Sequence, residues 1–323
     1  MGPVGDGMTG FWAGKRVLVT GGAGFLGRNL LPVLRETGCE VLAPTRQDVN
    51  LLEQVQVRRL MAEARPHIVI HLAGLVGGIL ANRERPAEFC YENLLMGTMV
   101  LHESWRTGAA KYVTLIGGCS YPATAENPIA EEALWNGYPQ PESAPYALAK
   151  RMSVVQAEAY RREHGFDAIV LVPGNVYGPH DNFDPSNSHV IPALVRRFYE
   201  AKAGGKEEVV VWGTGAPVRD FVYVADVCKA IKVATETYSE SDTINISSGV
   251  PTSIKELVGV VARATGYEGR VRWDSSKPNG QMLKAFKVTR MQERLRYRCR
   301  TSLGEGLAKT AAWFEANYMS ARR

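Results

Sequence analysis

The sequence predicts an α/β protein built on an open, doubly wound parallel sheet. Three observations carry that reading. Short apolar strands alternate with longer amphipathic helices through residue 120. The strands read as continuous apolar runs, as they do in a sheet covered on both faces. A glycine-rich turn joins the first strand directly to the first helix. The chain has 323 residues, 45% hydrophobic and 22% charged, with a net charge of +5. At this length roughly three quarters of the unfolded surface can be buried, which suits one large domain or two closely packed ones.

Taken in order, KRVLVT (15–20) is a strand, GGAGFLG the turn, and NLLPVLRETG a helix ending near Gly38. CEVLAPT is a second strand, VQVRRLMAEA a helix, HIVIHLAG a third strand, EFCYENLLMGTMVLHESWRTG a long helix and KYVTLIGG a fourth strand. YALAKRMSVVQAEAYRREHG reads as a helix and FDAIVLVPG as a strand. Right-handed crossovers then give the doubly wound sheet. After Tyr177 the texture changes: GPHDNFDPSNSHVIP has neither helical nor strand period and reads as a functional loop crossing a cleft. ALVRRFYEAKAG, EVVVW, VADVCKAIKVATETY, TINISSG and SIKELVGVVARATG suggest a smaller second domain, and TSLGEGLAKTAAWFEANYM a closing helix. Residues 1–14 read as a flexible leader, 15–176 mainly as a dinucleotide-binding domain, and 177–323 mainly as a substrate domain with segments returning to the first.

Composition narrows the function. No Lys/Arg cluster is interleaved with aromatics, so nucleic acid is not an expected partner. No run is long enough to span a membrane. Cys39, Cys90, Cys119, Cys228 and Cys299 are scattered without CxxC spacing, which argues against a disulfide scaffold and a structural zinc site and favours a cytoplasmic enzyme. No metal is expected.

Gly21, Gly24 and Gly27 stand at GxxGxxG spacing. The first permits the tight turn out of the strand, the second lets backbone approach a pyrophosphate, and the third permits close helix–sheet packing. The anion would face free N–H groups at the helix N-terminus. The tip of the second strand carries Ala43, Pro44, Thr45 and Arg46 where an NAD-binding protein would place an acidic residue. Arg46, with Arg28, is suited to a 2′-phosphate and favours NADP. Asp48 is an alternative partner for the adenine, compatible with either cofactor, and tightly bound NAD is the alternative to NADP.

Tyr146 and Lys150 lie four residues apart at the start of a helix and share a face. A nearby ammonium, with a nicotinamide cation above, would lower the tyrosine pKa, and such a phenol can exchange a proton with a carbonyl or alcohol oxygen. With HLAGLVGGILANRERPAEF, CSYP, PYALAK, NVYGPHDNFDPSNSHVIPALVRRF, VVWGTGAPVRDFVYVADV, SIKEL and SSKPNG, the chain resembles the extended short-chain dehydrogenase/reductase family, and within it the GDP-L-fucose synthase group. The resemblance runs through nearly the whole chain. It implies a Rossmann-type sheet with a smaller C-terminal substrate domain, a homodimer, and epimerisation of GDP-4-keto-6-deoxy-D-mannose at C3 and C5 followed by reduction at C4 by NADPH. It makes Tyr146 and Lys150 the reductive pair and Cys119 and His189 the epimerising acid/base pair. It assigns Phe25, Leu26, Leu72 and Ala73, with Lys150, to the cofactor, and Asn175, Asn187, Ser188, Arg197, Trp212, Arg219 and Lys284 to the sugar nucleotide.

The pattern breaks in one place above others. Where the family carries GSSCIYP, this chain has Ile116, Gly117, Gly118, Cys119, Ser120, Tyr121 and Pro122. Gly117 replaces the serine that holds the substrate oxygen. Strand alternation puts Ser120 on the opposite face. A lost donor of this kind costs about 2.7–4 kcal/mol. Gly117 and Gly118, and Gly174 in place of a threonine, are expected to enlarge the sugar pocket, and Met282, Leu283 and Lys287 also depart from the family pattern. The sequence therefore leaves three readings: the full epimerase/reductase; an epimerase without net reduction, on a hexose or a larger GDP-heptose or GDP-octose; and a non-catalytic nucleotide-sugar binding protein.

Overall fold

A computed structural model describes residues 10–185, 187–277 and 279–321. The first half of the chain runs β1 (Arg16–Thr20), α1 (Phe25–Arg35), β2 (Glu40–Leu42), α2 (Gln54–Ala64), β3 (Ile68–His71), α3 (Ile79–Glu84), α4 (Pro86–Arg106), β4 (Lys111–Leu115), α5 (Ala144–His164) and β5 (Ala168–Pro173). The second half runs β6 (Asn175–Tyr177), α6 (Val190–Ala203), β7 (Glu208–Trp212), β8 (Val218–Tyr223), α7 (Val224–Thr237), β9 (Ile244–Ile246), β10 (Pro251–Ser253), α8 (Ile254–Thr265), β11 (Arg270–Asp274), β12 (Leu283–Lys284), α9 (Thr289–Arg294) and α10 (Leu303–Ala316).

Six strands form one all-parallel sheet in the order β2-β1-β3-β4-β5-β9. Its strands are buried on both faces. Val17, Val19, Ile70, Val113 and Leu171 face one core, while Leu18, Val69, Tyr112 and Val170 face the other. The chain leaves β1 toward β2 on one side and reaches β3 on the other, so a crevice opens beyond the carboxyl ends of β1 and β3. The segment 244–246 returns to this sheet as β9.

The smaller elements gather around β8, which pairs with β10, β12 and β6, and a separate pair joins β7 and β11. Helices α6, α8 and α10 pack on one another. Ser253 and Ser302 cap α8 and α10 by accepting from the N–H of Glu256 and Glu305, an S-x-x-E arrangement at each start. One apolar cluster runs from the sheet into these helices, through Phe198, Val261 and Phe314.

Several expectations shift. Helix α1 begins at Phe25, inside the glycine turn, and β2 keeps only three residues. Residues 1–9 of the expected leader lie outside the described residues. Within its remainder Trp12 is fully buried and its indole donates to Glu236, so the packed chain begins before residue 15.

Candidate active site

The crevice begins at the turn after β1. Gly21 has φ +72, and a Cβ there would lie 2.6 Å from the Ala73 nitrogen. A Cβ on Gly27 would lie 2.4 Å from the Gly21 carbonyl oxygen. Both positions require glycine for the protein's own packing. Gly24 differs: among the described residues a Cβ there would meet only the same carbonyl oxygen, at 3.1 Å, and it is the N-cap of α1 with no side-chain cap. The N–H groups that open α1, at Phe25 and Leu26, therefore have no capping side chain, as an anion site requires.

Arg46, Pro44 and Thr45 line the same groove with Leu72 and Ala73. Arg28 is exposed beside it and its Nε donates to the Ala23 carbonyl. Asp48 is held by the Thr45 N–H and hydroxyl, each at 2.8 Å, which lowers its pKa, and it does not line the groove.

Lys150 lies between this groove and the pair Tyr146 and Cys119. It is 8% exposed, and its Nζ lies 3.9 Å from the point a Cβ on Gly74 would occupy. Burial pushes its pKa down to about 8, opposed by the neighbouring Cys119. Its helix partner Tyr146 stands edge-on to Phe89. Burial, followed by the Cys119 charge, raises the Tyr146 pKa well above the ordinary phenol value. The sequence led us to expect a lowered value. The lowering expected from the Lys150 ammonium with a nicotinamide cation above is not found: burial prevails and keeps the phenol protonated.

Cys119 sits half-buried in a short 3-10 turn, Gly118–Ser120, directly after β4. Burial raises its pKa, while Lys284, Lys150 and Arg151 act to lower it. A Cβ on Gly117 would lie 3.1 Å from the Cys119 Sγ and 3.8 Å from the Tyr146 hydroxyl. The position of the absent serine side chain thus borders both the Cys119 thiol and the Tyr146 hydroxyl. Ser120 is fully buried and its hydroxyl turns to the Ala147 carbonyl at 3.5 Å, so it does not replace that serine.

The other two glycines do not open space. A Cβ on Gly118 would lie 2.5 Å from the Phe286 ring, and one on Gly174 would lie 2.2 Å from the Ser247 hydroxyl and 3.4 Å from Phe286. The expected enlargement at 118 and 174 is corrected by this filling.

The remaining candidates fall into two groups. Arg219 and Lys284 are paired across β8 and β12, and burial lowers the pKa of both. Asn175 spends its amide N–H on the Asp220 carbonyl and secures β6 beside β8. His189 is the exposed N-cap residue of α6, its side chain makes no capping hydrogen bond, and desolvation by the surrounding protein lowers its pKa. Its loop is pinned where the Gly78 N–H meets the Asn187 carbonyl at 3.3 Å, and the Ser188 hydroxyl is buried without a partner among the described residues. Arg197 and Trp212 lie farther out, both exposed: Arg197 donates to the Val210 carbonyl on the strand that ends in Trp212.

Sequence reasoning missed three supporting residues. Arg151, 4% exposed, donates to the Ser120 and Gly137 carbonyls and holds the cysteine turn. Asn93 donates to the Leu75 carbonyl and fixes the loop beneath Lys150. Asn245 ties the cysteine turn to the segment carrying Phe286. Only Arg151 had a local signal, a charge next to Lys150 on an otherwise apolar helix face.

With the geometry in place, we compared the chain with known proteins. The model of the NAD dependent epimerase/dehydratase family matches residues 17–247. The chain is 40% identical to the probable GDP-L-fucose synthase 1 of Oryza sativa subsp. japonica over 312 residues, 96% of this chain and 95% of that one. Its structure is similar to a GDP-L-fucose synthetase from Naegleria fowleri bound to NADP, with TM-score 0.88 and 27% identity over 96% of this chain and 95% of that one. It is also similar to a GDP-6-OMe-4-keto-L-xylo-heptose reductase from C. jejuni, with TM-score 0.87 and 27% identity over 94% of this chain and 98% of that one.

Two predictions follow from the packing and the charges. Gly118→Ala should destabilise the protein by about 1–3 kcal/mol through overpacking against Phe286. In thermal denaturation the loss should shrink when Phe286→Leu is added, giving a non-additive cycle; additive losses would mean the two residues do not press on each other. Lys284 lowers the Cys119 pKa, so Lys284→Gln should move the pH profile of Cys119 alkylation by iodoacetamide to higher pH, and Lys284→Arg should largely restore it. An unchanged midpoint in Lys284→Gln would remove Lys284 from the thiol's environment.

Proposed function

The chain belongs to the NAD dependent epimerase/dehydratase family, and on that premise we propose that it is a GDP-sugar epimerase/reductase of the GDP-L-fucose synthase type, acting on a 4-keto sugar nucleotide with NADP(H). The observation that carries this reading is the placing of the Tyr146 hydroxyl and the Cys119 thiol around one hydroxyl-sized space, with Lys150 linking that space to the groove at Gly74.

The groove fits the cofactor. The uncapped start of α1 suits the pyrophosphate, and Arg46, lining the groove beside a Thr45 that holds the Asp48 carboxylate, suits a 2′-phosphate. NADPH, when bound, supplies the hydride for C4. Tyr146 is kept protonated by burial, so it is in the state needed to give its proton to the C4 oxygen. Lys150, with a pKa near 8, steadies that exchange as a hydrogen-bond donor. Protons on the carbons flanking a ketone are acidified by it, and inversion needs one group to remove the proton and another to return it on the opposite face. We assign those roles to Cys119 and His189. His189 suits proton exchange because its lowered pKa leaves a neutral imidazole available near neutral pH. Arg219 and Lys284 face the diphosphate or sugar in this reading, and Trp212 and Arg197 the outer part of the nucleotide.

We also propose a homodimer. Tyr91 and Leu94 on α4 and Met152 and Val155 on α5 are exposed and lie along two helices packed side by side. An apolar stripe of this kind is suited to burial against its own copy.

The first test is to incubate the protein with GDP-4-keto-6-deoxy-mannose in deuterated water, with and without NADPH. Deuterium should enter C3 or C5, and absorbance at 340 nm should fall when NADPH is present. Tyr146→Phe should cut NADPH oxidation by about 100-fold or more and leave deuterium entry intact. No deuterium and no NADPH loss with the native chain would sink the assignment. Sedimentation should give a dimer that Leu94→Glu with Val155→Glu converts to monomer; a native monomer would remove the interface.

A further inference from the structure

The epimerase/reductase reading leaves one problem in the reacting centre, and the proposal here rests on that reading. A ketone oxygen that gains negative charge as C4 is reduced needs a second hydrogen-bond donor beside the tyrosine. In this chain the residue at that place is Gly117, which has no side chain. Arg151 and Lys150 belong to the same helix as Tyr146, but neither is among the three atoms nearest the point a Gly117 Cβ would occupy; Arg151 turns its Nε and Nη1 to the Ser120 and Gly137 carbonyls, and its Nη2 is buried without a partner among the described residues. Ser120 is turned to Ala147.

The thiol is placed differently. The point that a Gly117 Cβ would occupy is 3.1 Å from Cys119 Sγ, closer than ordinary side-chain contact, and 3.6 and 3.8 Å from the Tyr146 ring and hydroxyl. A side chain at 117 would therefore press on the sulfur. Because none is there, the sulfur borders the same space that the tyrosine hydroxyl borders. Phe286 closes that region from behind by packing on Gly118, so the turn that carries the cysteine cannot sink away from it. Backbone strain does not explain the glycine: Gly117 has φ −79 and ψ 153, which any residue adopts.

We propose that Cys119 has a second role in this chain: its S–H is the second hydrogen-bond donor to the substrate's C4 oxygen during reduction, in the place that Gly117 leaves without a hydroxyl. The chemistry balances without consuming the thiol. C4 gains hydride from NADPH, the oxygen gains the Tyr146 proton, and the S–H bond is polarised but not broken. Burial supports the role by favouring the neutral thiol over the thiolate. The same sulfur can hold a proton taken from C3 or C5 and then donate a hydrogen bond to the oxygen next in line. Epimerisation and reduction are thereby coupled through one atom. A thiol is a weak donor, so the rate it supports falls below that of a hydroxyl at 117.

The test separates the two roles with a pre-epimerised substrate. Native protein without cofactor is incubated with the 4-keto sugar nucleotide in deuterated water until exchange is complete, then removed by filtration. The filtrate is given with NADPH to Cys119→Ala, Cys119→Ser and Gly117→Ser/Cys119→Ala. Cys119→Ala should lose about tenfold or more of NADPH oxidation on this substrate. Cys119→Ser should retain it. Gly117→Ser/Cys119→Ala should regain it while showing no deuterium entry in a cofactor-free assay. Quenching of protein fluorescence by NADPH checks that each variant is folded. Cys119→Ala reducing the filtrate at the native rate, or a double variant no faster than Cys119→Ala, would overturn the proposal. Native protein that neither exchanges deuterium nor oxidises NADPH would instead count against the functional reading it rests on.

Discussion

The site depends on the side chain of one buried asparagine. Asn245, on β9, is fully buried and its side chain makes three hydrogen bonds. Its amide N–H groups donate to the carbonyls of Ile129 and Lys287 at 3.0 and 3.1 Å, and its oxygen accepts from the Tyr121 hydroxyl at 2.6 Å. Three stretches distant in sequence are thereby held at the carboxyl end of the sheet. Ile129 in turn bonds the Ala285 and Lys287 backbone on either side of Phe286. A polar group so placed is costly if any partner is lost, about 1–3 kcal/mol for each group left unsatisfied. That cost makes the arrangement specific: Phe286 meets Gly118, and Lys284 is carried toward the thiol.

The electrostatics follow from this gathering. Lys150, Arg151, Arg219 and Lys284 each have pKa values lowered by burial, and all but Arg219 act on Cys119. Burial favours the neutral thiol and the cations favour the thiolate, and here burial prevails. The two effects oppose each other across one sulfur, which suits the proton exchange proposed for it. At His71 burial and the neighbouring Lys150 charge act in the same direction. Its imidazole is buried, bonded to Thr20, and kept neutral with a pKa pushed to about 3.

The sheet was legible because its signals are local. The apolar runs of β1, β3, β4 and β5, the glycines of the first turn, and the four-residue spacing of Tyr146 and Lys150 all lie within one element or its edge. The strands missed by sequence reasoning have no such signal. VRDFVY runs from β8 straight into α7 without a breaker, and its residues serve three partner strands at once. β12 is two residues long and exists only because Val218 and Arg219 lie opposite. The same limit applies to the site. Cys119 and His189 were visible as motif residues, but the filling of Gly118 and Gly174 by Phe286 and Ser247 joins positions that neither spacing nor periodicity connects. The glycines looked like added room because the residue that takes the room is encoded far downstream.

Both borders of the main sheet are three residues long, β2 at one side and β9 at the other. A long exposed border strand is a template on which another chain can add by backbone pairing. Here one border is clipped, with Glu40 exposed at its start, and the other is buried and covered by α9, whose Arg290 donates to the Thr243 carbonyl. The sheet therefore offers little for strand-by-strand accretion, whether native or aberrant. Association of this fold is left to its helices, where side-chain shape rather than generic peptide hydrogen bonding selects the partner.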